Sequence, residues 1–130
     1  MSTNSPAPAE AAAVRRCLLI HDLVVPCAIG VHEHEHHGTQ RVRINVRVHV
    51  TGDEGPIEDS IANVVSYETI VDGIRAIIAG GHINLVETLA DRIVELCLTN
   101  QRVRGVWVRV EKLDLYPDAA GVGVEVERSR

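Results

Sequence analysis

The chain has no phenylalanine, one tryptophan and two tyrosines in 130 residues, so its 45% hydrophobic content must build a core from Val, Ile, Leu and Ala. It also lacks a surplus of positive charge. Thirteen Lys and Arg against 18 Asp and Glu give a net charge of −5, and no basic patch is interleaved with aromatics. That balance excludes nucleic acid as the expected partner, because a polyanion needs a positive surface. The three cysteines, Cys17, Cys27 and Cys97, are odd in number and unclustered, without a C-x-x-C spacing. They indicate neither a disulfide framework nor a thiolate metal site, and a reducing cytoplasm fits them best. No apolar run approaches the roughly 18 residues of a membrane span, and no basic-then-apolar signal pattern opens the chain. A soluble intracellular protein of one domain is expected.

What is present falls into short, well-punctuated segments. Met1 to Ala13 is Ser, Pro, Ala and Glu with nothing to bury. It reads as a disordered leader, taken to extend over residues 1–16, with the domain spanning 17–130. Cys17 to Val25 is an apolar, β-branched run that Pro26 should halt. Gln40 to Thr51 alternates strictly, with Val42, Ile44, Val46, Val48 and Val50 on one face and Arg41, Arg43, Asn45, Arg47 and His49 on the other. The residues Thr51 to Asn63 carry turn chemistry. Ser66 then caps a helix with apolar positions at Ile70, Val71, Ile74, Ile77 and Ile78, ended by Gly80-Gly81. A second helix is expected to open at Asn84, with a stripe at Leu85, Leu89, Ile93 and Leu96, stopping near Asn100. Val106, Val108 and Val110 give a third strand and Val122, Val124 and Val126 a fourth, with Tyr116-Pro117-Asp118 between them. The order ββααββ implies an α+β fold, a four-stranded antiparallel sheet with two helices on one face. The other face, carrying Arg41, Arg43 and Arg47, is either solvated or meets another subunit.

Glu87 and Lys112 stand out against this background. Glu87 is a lone acid where an apolar helix begins, and a carboxylate there can bind a flat heterocycle with a row of N–H donors; equally, Asn84 and Glu87 have the spacing of a capping box. Lys112 shares the register of Val106, Val108 and Val110. It therefore leaves the strand on the apolar face, where an ammonium is desolvated and suited to acid/base work, unless the strand has ended and the side chain snorkels out. Tyr67, just after Ser66, offers a phenol for proton transfer or a packing surface with a wet tip. Gln40 reads as an edge residue. The run His32-Glu33-His34-Glu35-His36-His37 has metal-ligand chemistry, but Gly30 and Gly38 mark it as a loop and no distant ligand completes a site. It reads as a surface histidine patch.

The pieces Ala28-Ile29-Gly30-Val31, Glu35 with Gln40, Val65-Ser66-Tyr67, Leu85-Val86-Glu87-Thr88-Leu89-Ala90, Glu111-Lys112 and the stretch Gly121 to Arg128 together resemble the dihydroneopterin aldolase family of folate biosynthesis. The resemblance runs from about Leu18 to Arg128. It implies the tunnelling fold, whose subunits pair their sheets into a barrel as a homotetramer or homo-octamer with active sites between subunits. It implies Lys112, Tyr67 and Glu35 as catalytic residues. Glu87, Val86, Leu85, Val65, Tyr67 and Gln40 would bind a small pterin substrate. The implied reaction is a retro-aldol cleavage that uses the pterin ring as electron sink, with no cofactor, metal or Schiff base. Lys112 is followed by Leu113 where many aldolases have Pro, a feature shared with the sister dihydroneopterin triphosphate epimerase. For that activity Arg41, Arg43 or Arg104 could supply a cationic pocket. Two further readings stay open: a metal-dependent pterin or purine enzyme that uses the histidine loop, and a pterin-binding oligomer without turnover.

Overall fold

The computed structural model describes residues 15–51 and 56–130. The expected leader, apart from its last two residues, and the glycine-rich part of the turn after Thr51 lie outside the described residues. Four strands, β1 (Arg15–Cys27), β2 (Gln40–Thr51), β3 (Val103–Lys112) and β4 (Val122–Ser129), form one antiparallel sheet in the order β1-β2-β3-β4. Two helices, α1 (Tyr67–Ala79) and α2 (Val86–Leu98), sit between the hairpins in sequence. This is the expected ββααββ order. No described helix is long and apolar enough to cross a membrane.

The core follows from side-chain alternation. The inward row of β2, from Val42 to Val50, and Val106, Val108 and Val110 of β3 are buried beneath Ile70 and Ile74 of α1 and Leu89, Ala90, Ile93, Val94 and Cys97 of α2. Gly73 allows the two helices to approach, because a methyl there would overlap the Leu96 side chain.

Two elements, β1 and α2, have boundaries that differ from expectation. β1 continues through Pro26, which pairs with Arg41, and ends at Cys27. The strand lies at the sheet edge, where a missing N–H breaks no ladder bond. β1 also starts at Arg15, so Arg15 and Arg16 belong to the sheet rather than to the leader. The second correction concerns α2, which opens at Val86 with Leu85 as N-cap and no side-chain cap. Ile83 forms a parallel bridge with Ile29, and Leu85 is still extended at φ −120° and ψ 142°. The helix therefore begins later than Asn84, Glu87 is its second residue, and the Asn84–Glu87 capping box does not form.

The face of the sheet turned away from the helices is a charge network. Arg43 donates to both oxygens of Glu111 at 3.1 and 3.0 Å, and Arg109 lies 3.4 Å from the same carboxylate. Asp22, at φ 54° in a β1 irregularity, accepts from Asn45 and lies 3.8 Å from Arg43. Arg47 stacks over Trp107. Much of this face is thus occupied by internal pairing of its own charges.

Candidate active site

Glu35 organises one end of the molecule. It lies in a short 3-10 turn, Glu33–His36, between β1 and β2, and is 7% exposed. Its Oε2 accepts from Lys112 Nζ at 2.7 Å and from Gln40 Nε2 at 2.8 Å, and its Oε1 accepts from the His32 N–H at 3.3 Å. Burial pushes the carboxyl pKa up, but the bonds from Lys112, Gln40 and His32 outweigh it and bring the value down to about 2. The group is an anion at neutral pH.

Lys112 reaches this carboxylate because of strand register. It pairs with Val42 and Val122 at the end of the row Val106, Val108, Val110, and its side chain is 12% exposed. Lys112 is the last residue of β3 but is still paired on both sides, and the ammonium is held by an acid rather than extended into solvent. Gln40 opens β2 as expected, yet it is more than an edge residue. Its amide donates to Glu35 and to the Ile29 carbonyl, both at 2.8 Å.

Backbone pairing ties this centre to the start of α2. Gly30 N–H donates to Ile83 O and Ile83 N–H to Ala28 O, each at 2.9 Å. Gly30 sits at φ 131°, where side chains are disfavoured, and a methyl on it would overlap the Glu35 carboxyl. His82 Nε2 lies 2.7 Å from Gly30 O; since a carbonyl accepts, that nitrogen carries the hydrogen. The His36 ring stacks on His82 at 3.9 Å. Four residues beyond Ile83, Glu87 is exposed in the first turn of α2, where its negative charge suits the helix dipole. The uncapped first-turn amides of Val86 and its neighbours point the same way along the helix axis, and Leu85 is 47% exposed.

Tyr67 stands apart from this cluster. It is 59% exposed at the start of α1 and lines a cavity of about 360 Å³ with Val65, Cys17 and Leu18. Glu35 and Gln40 line a different one, of about 200 Å³, with His34, His37 and Asp114. The single chain therefore brings Glu35, Gln40 and Lys112 into contact and holds Val65 and Tyr67 elsewhere. The histidine run is dispersed, with His32 stacked on His34 and His36 on His82. Among the described residues, no three His, Cys, Asp or Glu side chains are grouped to hold a metal ion.

Sequence reasoning missed a further pair beside the site. Asp114 accepts from the Arg41 guanidinium, at 2.7 Å from Nη2 and 3.1 Å from Nε, and from the Arg41 N–H at 2.9 Å. These bonds hold the Asp114 carboxyl below its usual range. Arg41 and Arg43, two of the three arginines that could line a cationic pocket, are thus both engaged with carboxylates.

The family model for FolB, dihydroneopterin aldolase, matches residues 18–127. Among curated relatives, the dihydroneopterin aldolase of Escherichia coli is 29% identical over 113 residues, 85% of this chain and 91% of the relative. The dihydroneopterin triphosphate 2'-epimerase of the same organism is 25% identical over 122 residues, covering 92% and 99%. Among solved structures, the dihydroneopterin aldolase of Burkholderia thailendensis bound to guanine superposes with a TM-score of 0.80 at 39% identity, covering 95% of this chain and 96% of that one. The Escherichia coli aldolase in complex with neopterin gives 0.80 at 26% identity, covering 88% and 99%. The chain belongs to the dihydroneopterin aldolase family, lyases of folate biosynthesis.

Proposed function

We propose that this chain cleaves dihydroneopterin to 6-hydroxymethyl-dihydropterin and glycolaldehyde by a retro-aldol reaction. The observation that carries this reading is the buried Lys112–Glu35 pair, tied through the Ile29–Ile83 bridge to the helix start that bears Glu87. The side-chain hydroxyl next to the breaking C–C bond loses its proton, the bond's electrons enter the C=N bond of the pterin ring, and the hydroxyl oxygen leaves as the carbonyl of glycolaldehyde. The enamine that remains then takes up a proton. Because the ring itself is the electron sink, the step needs neither a lysine Schiff base nor a Lewis acid.

In this reading Glu87 accepts from the pterin 2-amino group and ring N3–H, two charge-assisted bonds worth about 1.5–3 kcal/mol each. Backbone groups of Leu85, Val86 and Val65 complete the ring site. Lys112 moves the proton through a positioned water, and Glu35 holds both Lys112 and the substrate hydroxyls, with Gln40 steadying Glu35. Tyr67 assists protonation of the enamine. Its separation from Glu35 within one chain supports a site shared between subunits of a homotetramer or homo-octamer, with Val65 and Tyr67 supplied by a neighbour.

The epimerase reading shares these residues and would break and remake the same bond on the triphosphate. The engagement of Arg41 with Asp114 and of Arg43 with Glu111 favours cleavage of the uncharged side chain instead. Assaying dihydroneopterin and its triphosphate side by side, before and after exhaustive chelation, tests the proposal. Release of glycolaldehyde from dihydroneopterin at a chelation-resistant rate is expected. Inversion of the triphosphate without cleavage would support the epimerase, and Zn²⁺-reversible loss of activity would bring the histidine loop into the chemistry.

A further inference from the structure

The Arg41–Asp114 pair lies directly beside the residues assigned to proton transfer. Arg41 follows Gln40, which holds Glu35; Asp114 is two residues beyond Lys112, which also holds Glu35. The contacts close a ring: Glu35 to Gln40, along the chain to Arg41, across to Asp114, back along the chain to Lys112, and again to Glu35. The Arg41–Asp114 link is unusually complete for a pair on the surface. The guanidinium forks over the carboxylate, with Nη2 donating to Asp114 Oδ1 at 2.7 Å and Nε shared between Oδ1 and Oδ2 at 3.1 and 3.3 Å, and the Arg41 N–H donates to Oδ2. In addition, Leu113 N–H donates to Arg41 O at 3.0 Å, which extends the β2–β3 ladder one step past Lys112. A proline at this position has no N–H and could not make that bond.

We propose that Arg41 and Asp114 are positioning residues that clamp the end of β3 onto the start of β2 and so fix the Lys112 ammonium against Glu35. The inference rests on the roles proposed for Lys112 and Glu35. An ammonium on a flexible four-carbon stem is correctly placed for proton transfer only if its backbone is fixed, and β3 ends at Lys112. The clasp supplies that restraint where the sheet stops. Both side chains are substantially exposed, so the pair contributes little to global folding; its effect is local.

The test uses Asp114→Ala, Arg41→Ala and the double variant in the full-length protein. Each single variant should lose kcat by about tenfold or more, with affinity for the pterin product held within about threefold and melting temperature close to wild type. The double variant should be no slower than the slower single one, because both remove the same clasp. Arg41→Lys, which keeps the charge but not the fork, should also be slowed, and it provides the answer if an alanine variant fails to fold. Wild-type turnover in Asp114→Ala and Arg41→Lys beside an inactive Lys112→Ala would overturn the clasp alone. So would rate losses that track losses of melting temperature. Wild-type turnover in Lys112→Ala would overturn the clasp together with the catalytic roles on which it rests.

Discussion

The Lys112 ammonium and the Glu35 carboxylate meet at 2.7 Å across 77 residues of sequence, with side chains 12% and 3% exposed. Burying an ion pair this deeply carries a desolvation cost that Coulomb attraction alone often fails to offset. The additional donors from Gln40 and His32 explain how the carboxylate remains charged. In the proposed mechanism this fixed anion is what orients the Lys112 ammonium at neutral pH.

Stability should depend on pH through this carboxylate. The Glu35 carboxyl is held at about 2 in the folded protein against an ordinary 4.5. A folded value below the unfolded one means that the contact stabilises the fold fully above about pH 4.5 and is lost as the pH falls toward 2. Glu35→Gln should therefore melt below wild type at neutral pH, and the gap should narrow on acidification to roughly pH 3. Melting temperatures measured across that range check this. A gap that stays constant would mean that Glu35 is not held as an anion.

Glu87→Gln should weaken pterin binding by about tenfold or more, since an amide offers one acceptor and sets an N–H against the ligand's own donors. Because α2 starts at Val86 and Glu87 forms no capping box, folding should lose no more than the helix-dipole contribution, about 0.3–1 kcal/mol. Calorimetry with a pterin product, paired with thermal melting, separates the two effects. Unchanged affinity in the folded variant would remove Glu87 from the ring site.

Gly30→Ala should reduce turnover by about a hundredfold, because the methyl would displace the Glu35 carboxyl and the backbone is held at φ 131°. A lowered melting temperature should accompany the loss. Gly38, also at positive φ but with open space around its Cβ position, is the control: Gly38→Ala carries the strain without touching Glu35. Equal kinetic losses in the two variants would mean that loop strain, rather than displacement of the carboxylate, explains the effect.

These outcomes depend on features that are unequally legible in the sequence. β2 runs from Gln40 to Thr51 as its alternation implies, because a central strand with one buried face imposes strict period-2 patterning. α1 is bounded by Ser66 and Gly80 as expected, although the Ser66 side chain makes no capping hydrogen bond. Lys112 can be assigned to the inner face by counting from Val110. By contrast, the start of α2 depends on a bridge between Ile83 and Ile29, and local spacing at Asn84 carries no trace of it. Pro26 misleads because its tolerance depends on edge position, which is a property of the assembled sheet. The Arg41–Asp114 fork and the Gln40–Glu35 bond become visible once β2 and β3 are paired. Asp114, two residues past Lys112, is the signal that the sequence does offer.

A shared site predicts complementation. Tyr67→Phe and Glu87→Ala subunits, each inactive alone, should regain part of the activity when dissociated and reassembled together, because some sites then hold both wild-type residues. The rate of verified mixed oligomers is the measurement. No recovery would place Tyr67 and Glu87 in a site formed by one chain.

Proton transfer by Lys112 is tested most sharply by comparing kcat and product affinity in Lys112→Ala. A group that acts in this way stabilises the transition state far more than the bound product. The expected result is a loss of kcat of about a hundredfold or more, with the dissociation constant for 6-hydroxymethyl-dihydropterin changed by less than about tenfold. Turnover near wild type in a folded Lys112→Ala variant, or a loss of affinity as large as the loss of kcat, would contradict the role given to Lys112.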